Sequence, residues 1–494
     1  MRVIVLVLFL LLIFSFLYGA VITIGPNKEI LVDGKPFFPI MQWLQSRSRM
    51  ADEKQYGINV FVGQGDSSTA LQYCDEAKLQ GVWAVPSWDA SQVDSVKNHP
   101  ALLGWVFGDE PDLQSNQVPP SAIQTQYNEI KSKDPNHITF LTLTAGFYSE
   151  FSLPAWMGGS DAYYYEYPKY TDVIGFDLYP IYGWCRVDWV YRVGNACDEL
   201  KNKYGKGQKS LYTWIECAKT SGQWCDISSR EPDDGPYDYE IKCEIWHAIV
   251  KGANAIGYFT HSWECPGYTQ WCVSTSQGEM LKKENAKITA LTNVLCSSNS
   301  SLNITKNVVG VGGGNGRVDI LAKEYGGNLY IIAVNVINIT GTADTQQVTF
   351  TVPGLSGTIQ VYDEGRSINP SGNSFTDTFT KTNPVHIYVI SSSSSSGGGV
   401  NPLDTIRVYP NPFKIGEGKT LKIDNITPPN VKLKIYTSNG ETIRELNENE
   451  FNNLGYILWD GKDSGGKEVS AGIYYYVVED ENGNKKTGKI GVNK

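Results

Sequence analysis

The 494-residue chain contains no CxxC pair and only five histidines, so a cysteine- or histidine-built zinc site has no sequence support. It has no cluster of Lys and Arg interleaved with aromatics. With 42 basic against 52 acidic residues its formal charge is −10, a surface that repels phosphate backbones and excludes nucleic acid as a partner. Beyond the N-terminus no stretch approaches eighteen uncharged apolar residues, so no later segment reads as a membrane span. No glycine-rich fingerprint follows the first apolar run, which argues against a dinucleotide-binding open sheet. What is present is a 41% hydrophobic, 12% aromatic composition with 13 Trp and 29 Tyr. That suits a folded protein that grips flat apolar faces such as those of sugar rings.

The N-terminus reads Met1-Arg2, then Val3–Phe14 without a polar residue, and closes on Gly19-Ala20. One basic residue, an apolar core and small residues at the end describe a secretory signal over residues 1–20, with an uncleaved anchor as the rival reading. Export agrees with the cysteines. Eight of nine fall between Cys185 and Cys296, an even cluster that suggests disulfides, and eight cysteines allow 105 pairings. Cys74, in the amphipathic run Leu71–Leu79, reads as a buried free thiol.

Six serines and three glycines at Ser391–Gly399 cannot build a core and mark a flexible linker, residues 391–403. Before residue 300, eight apolar runs alternate with helical or loop returns: Phe38–Leu44, Ile58–Gly63, Gly81–Trp88, Leu102–Phe107, Ile138–Thr144, Val173–Tyr179, Ser210–Ile215 and Ala255–His261. Eight such units over residues 21–300 predict an α/β fold, the (β/α)₈ or TIM barrel. In Tyr239–Lys251, Ile241, Ile245 and Ile249 repeat every four residues, the stripe that packs a helix on a sheet. Residues 301–390 show short alternating strands between Gly, Asn and Pro turns, and residues 404–494 do so again. Two all-β sandwich domains are expected there.

Barrel chemistry sits at the C-terminal ends of the strands. The fourth run ends Gly108-Asp109-Glu110-Pro111, the sixth carries Asp177 and Tyr179, the seventh ends Trp214-Ile215-Glu216, and the eighth ends His261-Ser262-Trp263. Trp43 and Trp88 close the first and third runs. Glycosidic cleavage needs a protonated acid for the leaving oxygen and an ionised carboxylate for the anomeric carbon. At these residues the chain resembles the clan A glycoside hydrolases, whose glutamates lie on strands four and seven. The resemblance implies Glu110 as acid/base and Glu216 as nucleophile of a retaining glycosidase acting on a β-linked glycan. It implies Trp263 as a platform under the sugar and Tyr179 as a hydrogen-bond partner of the nucleophile. Two departures stand out: Asp109 occupies the clan's usual Asn position, and the clan's Arg at the end of strand two is not evident, Arg47 and Arg49 following strand one.

Asp109, Asp177, His261, Trp43 and Trp88 are the further substrate-binding candidates. Each residue has a plainer reading. Asp-Glu-Pro is an ordinary helix start, Glu216 a rim ion-pair partner, Asp177 a loop-holding acceptor, His261 a packed ring. Of Trp43, Trp88, Trp184, Trp224 and Trp271, half are expected in the core. No metal or organic cofactor is required, since two carboxylates complete the cycle. A non-catalytic glycan-binding surface protein is the alternative from another class.

The C-terminal module carries Tyr409-Pro410-Asn411-Pro412-Phe413, then Trp459-Asp460-Gly461-Lys462-Asp463, then Ala471-Gly472-Ile473-Tyr474. These resemble the Ig-like domain of flagellar hook-capping proteins and the sorting domains of type IX secretion. That implies a secreted or cell-surface protein, with an oligosaccharide or polysaccharide as substrate and the surface or secretion machinery as partner.

Overall fold

The computed structural model describes residues 19–150, 161–220, 222, 230, 235–265, 268–391, 403, 406–415, 420–424, 431–437, 439–446, 457–480 and 484–493. The N-terminal apolar run, most of the Ser/Gly linker, Trp224 and Cys225 lie outside them. Two compact units result: Met1–Lys323 with Leu329–Ile390, and Glu324–Asn328 with Ser391–Lys494.

Eight parallel strands form the centre of the first unit: β1 (Ile40–Trp43), β2 (Val60–Val62), β3 (Trp83–Val85), β4 (Gly104–Val106), β5 (Ile138–Thr144), β6 (Val173–Asp177), β7 (Ser210–Glu216) and β8 (Ala255–Phe259). The sheet runs β3-β2-β1-β8-β7-β6-β5-β4, and parallel bridges Ala84↔Leu102 and Ser87↔Val106 join its two ends into a closed barrel. Each expected apolar run supplies one strand, because a strand buried on both faces must be apolar throughout.

The interior is filled by Met41, Val60, Val62, Val85, Leu103, Val106, Phe140, Tyr212, Trp214 and neighbours. Two large rings from β7 need room, and register supplies it. Tyr212 pairs with Gly175 and Trp214 with Gly257. A Cβ on Gly175 would stand 2.4 Å from the Tyr212 ring, and one on Gly257 2.2 Å from that of Trp214. No side chain fits at either position.

Helices α1 (Ala70–Gln80), α2 (Pro120–Lys133), α3 (Val190–Glu199), α4 (Asp238–Lys251) and α5 (Thr275–Ala290) surround the barrel. Thr69 caps α1 through a capping box and left-handed Gly81 ends it. Helix α4 buries Ile241, Ile245 and Ile249 as its stripe requires. Its other side is buried too, by the following β-region: His247 meets Asp319 at 3.0 Å and Lys242 donates to Asn383 at 3.1 Å. Helix α5 is opened by a capping box at Ser274, on a polar turn that apolar periodicity does not register.

Residues after 300 in this unit form a three-stranded and a five-stranded antiparallel sheet, with Val348, Phe350, Phe375, Phe379 and Tyr388 in the core between them. The second unit also has a three-stranded antiparallel and a five-stranded sheet, the latter with one parallel pair at Phe413↔Val492, around Trp459, Leu433, Ile435 and Val478.

The cysteine cluster is only partly oxidised. Cys265 and Cys272 form a disulfide and Cys185 is disulfide-bonded, whereas Cys197, Cys217, Cys243 and Cys296 are free and buried, as is Cys74. The free thiols occupy small apolar sites on elements that face the core, where burial holds each of them protonated. Even spacing therefore overstates the number of bridges.

Candidate active site

Strand β4 ends at Val106, and the chain leaves it through Gly108-Asp109-Glu110. No helix begins there; the next helical residues are the single turn Gln114–Asn116 and then Pro120. The plain reading of Asp-Glu-Pro as a helix start is thereby removed. Glu110 instead adopts a left-handed backbone, φ 45°. That conformation costs a non-glycine residue of order 1 kcal/mol or more, and it aims the side chain. The turn is held from below by Asp112. Its buried carboxylate accepts from Thr144 N at 2.9 Å, Thr144 Oγ1 at 2.6 Å and Tyr164 Oη at 3.0 Å, tying the β4 loop to the end of β5. Burial pushes Asp112 up to about 6 despite these donors. Asp112→Ala would remove the acceptor that Thr144 N, Thr144 Oγ1 and Tyr164 Oη share. We expect about 2–4 kcal/mol of lost stability and a displaced Glu110, read as a lowered melting temperature together with lower kcat.

Across this turn Asp177, the last residue of β6, hydrogen-bonds through its carboxyl to Glu110. Two carboxylates cannot bond to each other unless one is protonated. Burial first, then the charges of Glu110, Asp109 and Asp112, raise Asp177 well above the usual carboxylate range, so the shared proton rests on Asp177. Asp109 is open to solvent yet set deep among protein walls. That desolvation, with Glu110 and Asp112 nearby, pushes it up to about 7. Among the described residues no Lys, Arg or His lies within ion-pair distance of Asp109, Glu110 or Asp177. Arg47 pairs with Asp66 and Arg49 with Glu53. Three carboxyls without a counter-cation, one strained, form an acidic centre that stores protons.

Aromatic residues surround that centre. Tyr179 feels the charges of Asp177, Asp109 and Glu110, and its ring stacks on Phe259 with centroids 4.8 Å apart. Phe259 stacks in turn on His261 at 5.4 Å. His261 is buried. Its Nε2 lies 3.0 Å from both the Trp43 carbonyl and Gln45 Nε2, and its Nδ1 lies 2.7 Å from Tyr268 Oη. Burial lowers its pKa, and the ring is a neutral brace. Trp43 rests over Trp214, centroids 5.2 Å apart. Trp263 and Tyr268 are 56% and 50% exposed with ring centroids 5.1 Å apart; Tyr268 lies in the loop that the Cys265–Cys272 disulfide closes, and Trp263 just ahead of it. Large exposed rings are what a sugar face stacks on. Trp88 packs edge-on against buried Trp105, whose indole donates to Asp134 beyond α2, and joins none of these rings.

Glu216 ends β7 in register with Phe259 of β8. It is fully withdrawn from solvent, accepting from Ile181 N at 2.9 Å and Tyr182 N at 2.6 Å, in the loop after β6. Its carboxyl also bonds that of Glu244 on the barrel-facing side of α4. Both Glu244 oxygens are buried with no ordinary donor, so this bond too requires a proton between the carboxyls. Burial pushes Glu216 up to about 8 and Glu244 well above its usual range. The structure thus brings Glu110, Asp109, Asp177 and Tyr179 together and sets Trp43, His261 and Trp263 around the neighbouring aromatic wall; Glu216 is held by Ile181, Tyr182 and Glu244, and Trp88 packs on Trp105. Sequence reasoning did not find Phe259, Tyr268, Asp112 or Glu244. Only Tyr268 had a signal, its place between two cysteines seven residues apart.

No group of three or more His, Cys, Asp or Glu among the described residues is arranged to hold a metal ion. None of the described helices is long and apolar enough to cross a membrane.

Comparison with known proteins gives two findings. Residues 410–492 match the CHU_C type IX secretion signal domain, which marks the chain for secretion or the cell surface. Similar solved structures include an uncultured Clostridium sp. beta-glucuronidase, 14% identical over 54% of this chain and 53% of that one, TM-score 0.39. The chain spans about half the length of that enzyme. A glycoside hydrolase family 5 mannosidase from Rhizomucor miehei is 12% identical over 56% and 100%, TM-score 0.38. A GH30 endoxylanase from Clostridium papyrosolvens C71 is 14% identical over 76% and 98%, TM-score 0.38. No curated protein matches. The likenesses concern the fold, a parallel eight-stranded barrel.

Proposed function

We propose that the chain is an exported glycoside hydrolase that cleaves a β-linked glycan with the proton-sharing pair Glu110–Asp177. The observation that carries this reading is the carboxyl–carboxyl hydrogen bond between those residues, beside exposed rings and free of any counter-cation among the described residues. One proton on two carboxyls supplies both species that glycosidic cleavage needs: an acid for the leaving oxygen and an anion for the anomeric carbon. No water fits between carboxyls that share a proton, which speaks against inversion, whose carboxyls stand about 6.5–9.5 Å apart. Retaining pairs stand about 5–5.5 Å apart, so double displacement would require the two to separate around the bound sugar. Trp263 and Tyr268 would stack on the sugar, and Asp109 would accept from a substrate hydroxyl. Glu216, assigned to the nucleophile by its strand number, would in this reading support the loop after β6.

The test is a screen of the full exported chain against β-glycans and aryl β-glycosides, with the first-formed anomer followed by proton NMR. Release of the β-anomer first is expected. Release of the α-anomer would overturn retention. No hydrolysis, with glycan binding still measurable, would overturn the enzyme.

A further inference from the structure

At the opposite end of the barrel, away from the acidic centre, a cavity of about 260 Å³ opens between the N-terminal ends of β7 and β8 and the strand Val318–Tyr325 of the following β-region. Four lysines line it, Lys28, Lys201, Lys209 and Lys323, and no acidic residue does. In a chain of net charge −10 that concentration of one sign is unexpected. None of the four has an ion-pair partner within 4.0 Å among the described residues. Lys323 is only 7% exposed, and its ammonium donates to Ser297 O at 2.6 Å, leaving further N–H donors. Lys209 donates to Thr171 O at 2.8 Å and Lys28 to Gln208 Oε1 at 3.4 Å.

Part of this charge is met inside the protein. Lys201 lies against Gly252 at the C-terminus of α4, where a Cβ would stand 2.7 Å from its ammonium, and Ser297 follows the short helix Thr292–Leu295. Two helix ends supply about half a negative charge each. Buried Glu29, whose field reaches Lys323, supplies one more without touching a lysine within ion-pair distance. Four positive charges less about two leave about two. Burial first, then the charge of Lys201, pushes Lys323 down to about 8, which an enclosed anion would reverse.

We infer that this cavity binds a compact doubly charged oxyanion, a phosphate or sulfate group, that ties the β-region to the base of the barrel through Lys28, Lys201, Lys209 and Lys323. The group is free in solution or carried as an ester on a sugar. The site lies apart from the proposed chemistry and does not depend on it.

The test uses the full chain at pH 7 and constant ionic strength, with sodium chloride progressively replaced by sodium sulfate, sodium phosphate or glucose 6-phosphate. A saturable rise in melting temperature is expected with at least one of them, following the linkage of ligand binding to stability. Lys28→Gln and Lys201→Gln, both partly exposed and therefore expected to fold, should each reduce the apparent affinity at least tenfold. A response to the inorganic ions alone identifies a free anion, and a response to the ester alone identifies a sugar-borne group; both support the site. No rise beyond the chloride reference, or an equal rise in both variants, overturns it.

Discussion

Asp177→Asn is expected to lower kcat by about 10³-fold or more while leaving the fold intact, and Glu110→Gln to do the same. Asn keeps the size of Asp177 but carries neither the shared proton nor a negative charge, so the pair loses one of its two species. The contrast is Glu216→Gln. Glutamine retains an oxygen for the Ile181 and Tyr182 amides and gains a donor toward Glu244. Activity within about tenfold of the parent is expected. Steady-state kinetics on an aryl β-glycoside, with circular dichroism as the folding control, rank the three. A collapse confined to Glu216→Gln and Glu110→Gln would restore the strand-four and strand-seven pair and remove Asp177 from the chemistry. The pH profile adds a second readout. Because one proton must be shared, kcat/KM should fall on both sides of its maximum, and the alkaline limb should vanish as a distinct step in Asp177→Asn.

The barrel was legible because its strands are apolar on both faces and eight of them recur at barrel spacing. The carboxyls were legible as residues, not as a pair. Alternation along β7 puts Glu216 on the face of Tyr212 and Trp214, which fill the interior. What withdraws it is the pair of amide groups at Ile181 and Tyr182, contributed by a loop two elements away, and a glutamate on α4. Pattern along one strand carries no information about either. Asp177 was read chiefly as a loop-holding acceptor, yet its partner is another carboxyl, a contact that composition disfavours and only burial stabilises. The left-handed turn at Glu110 was hidden for the opposite reason: Asp-Glu-Pro is good helix-start chemistry, and the tie from Asp112 to Thr144 overrides it. The type IX signal was readable in order and spacing because its motifs are local turns.

Glu244→Gln is expected to make the protein more stable than its parent above neutral pH. In the folded chain burial raises Glu216 to about 8 and Glu244 beyond its usual range, whereas both titrate near 4.5 when unfolded. Between those values the native state holds protons that the unfolded state has released. Stability from this pair is therefore full below about 4.5 and is lost as pH rises through 8. Of the other acids near the pair, Glu240 is neutralised by Arg230 and bonded by Asn338, and the variant leaves it unchanged. Glutamine removes one of the two titrations and donates permanently to the Glu216 carboxylate. A loss of a few kcal/mol in the parent between pH 5 and 8.5 should shrink by about half in the variant. Since each kcal/mol moves the melting temperature of a large domain by about 2–4 °C, the two melting curves should separate by several degrees at pH 8.5 and converge near pH 5. Parallel pH dependences in parent and variant would place the proton uptake elsewhere and leave the Glu216–Glu244 bond without energetic weight.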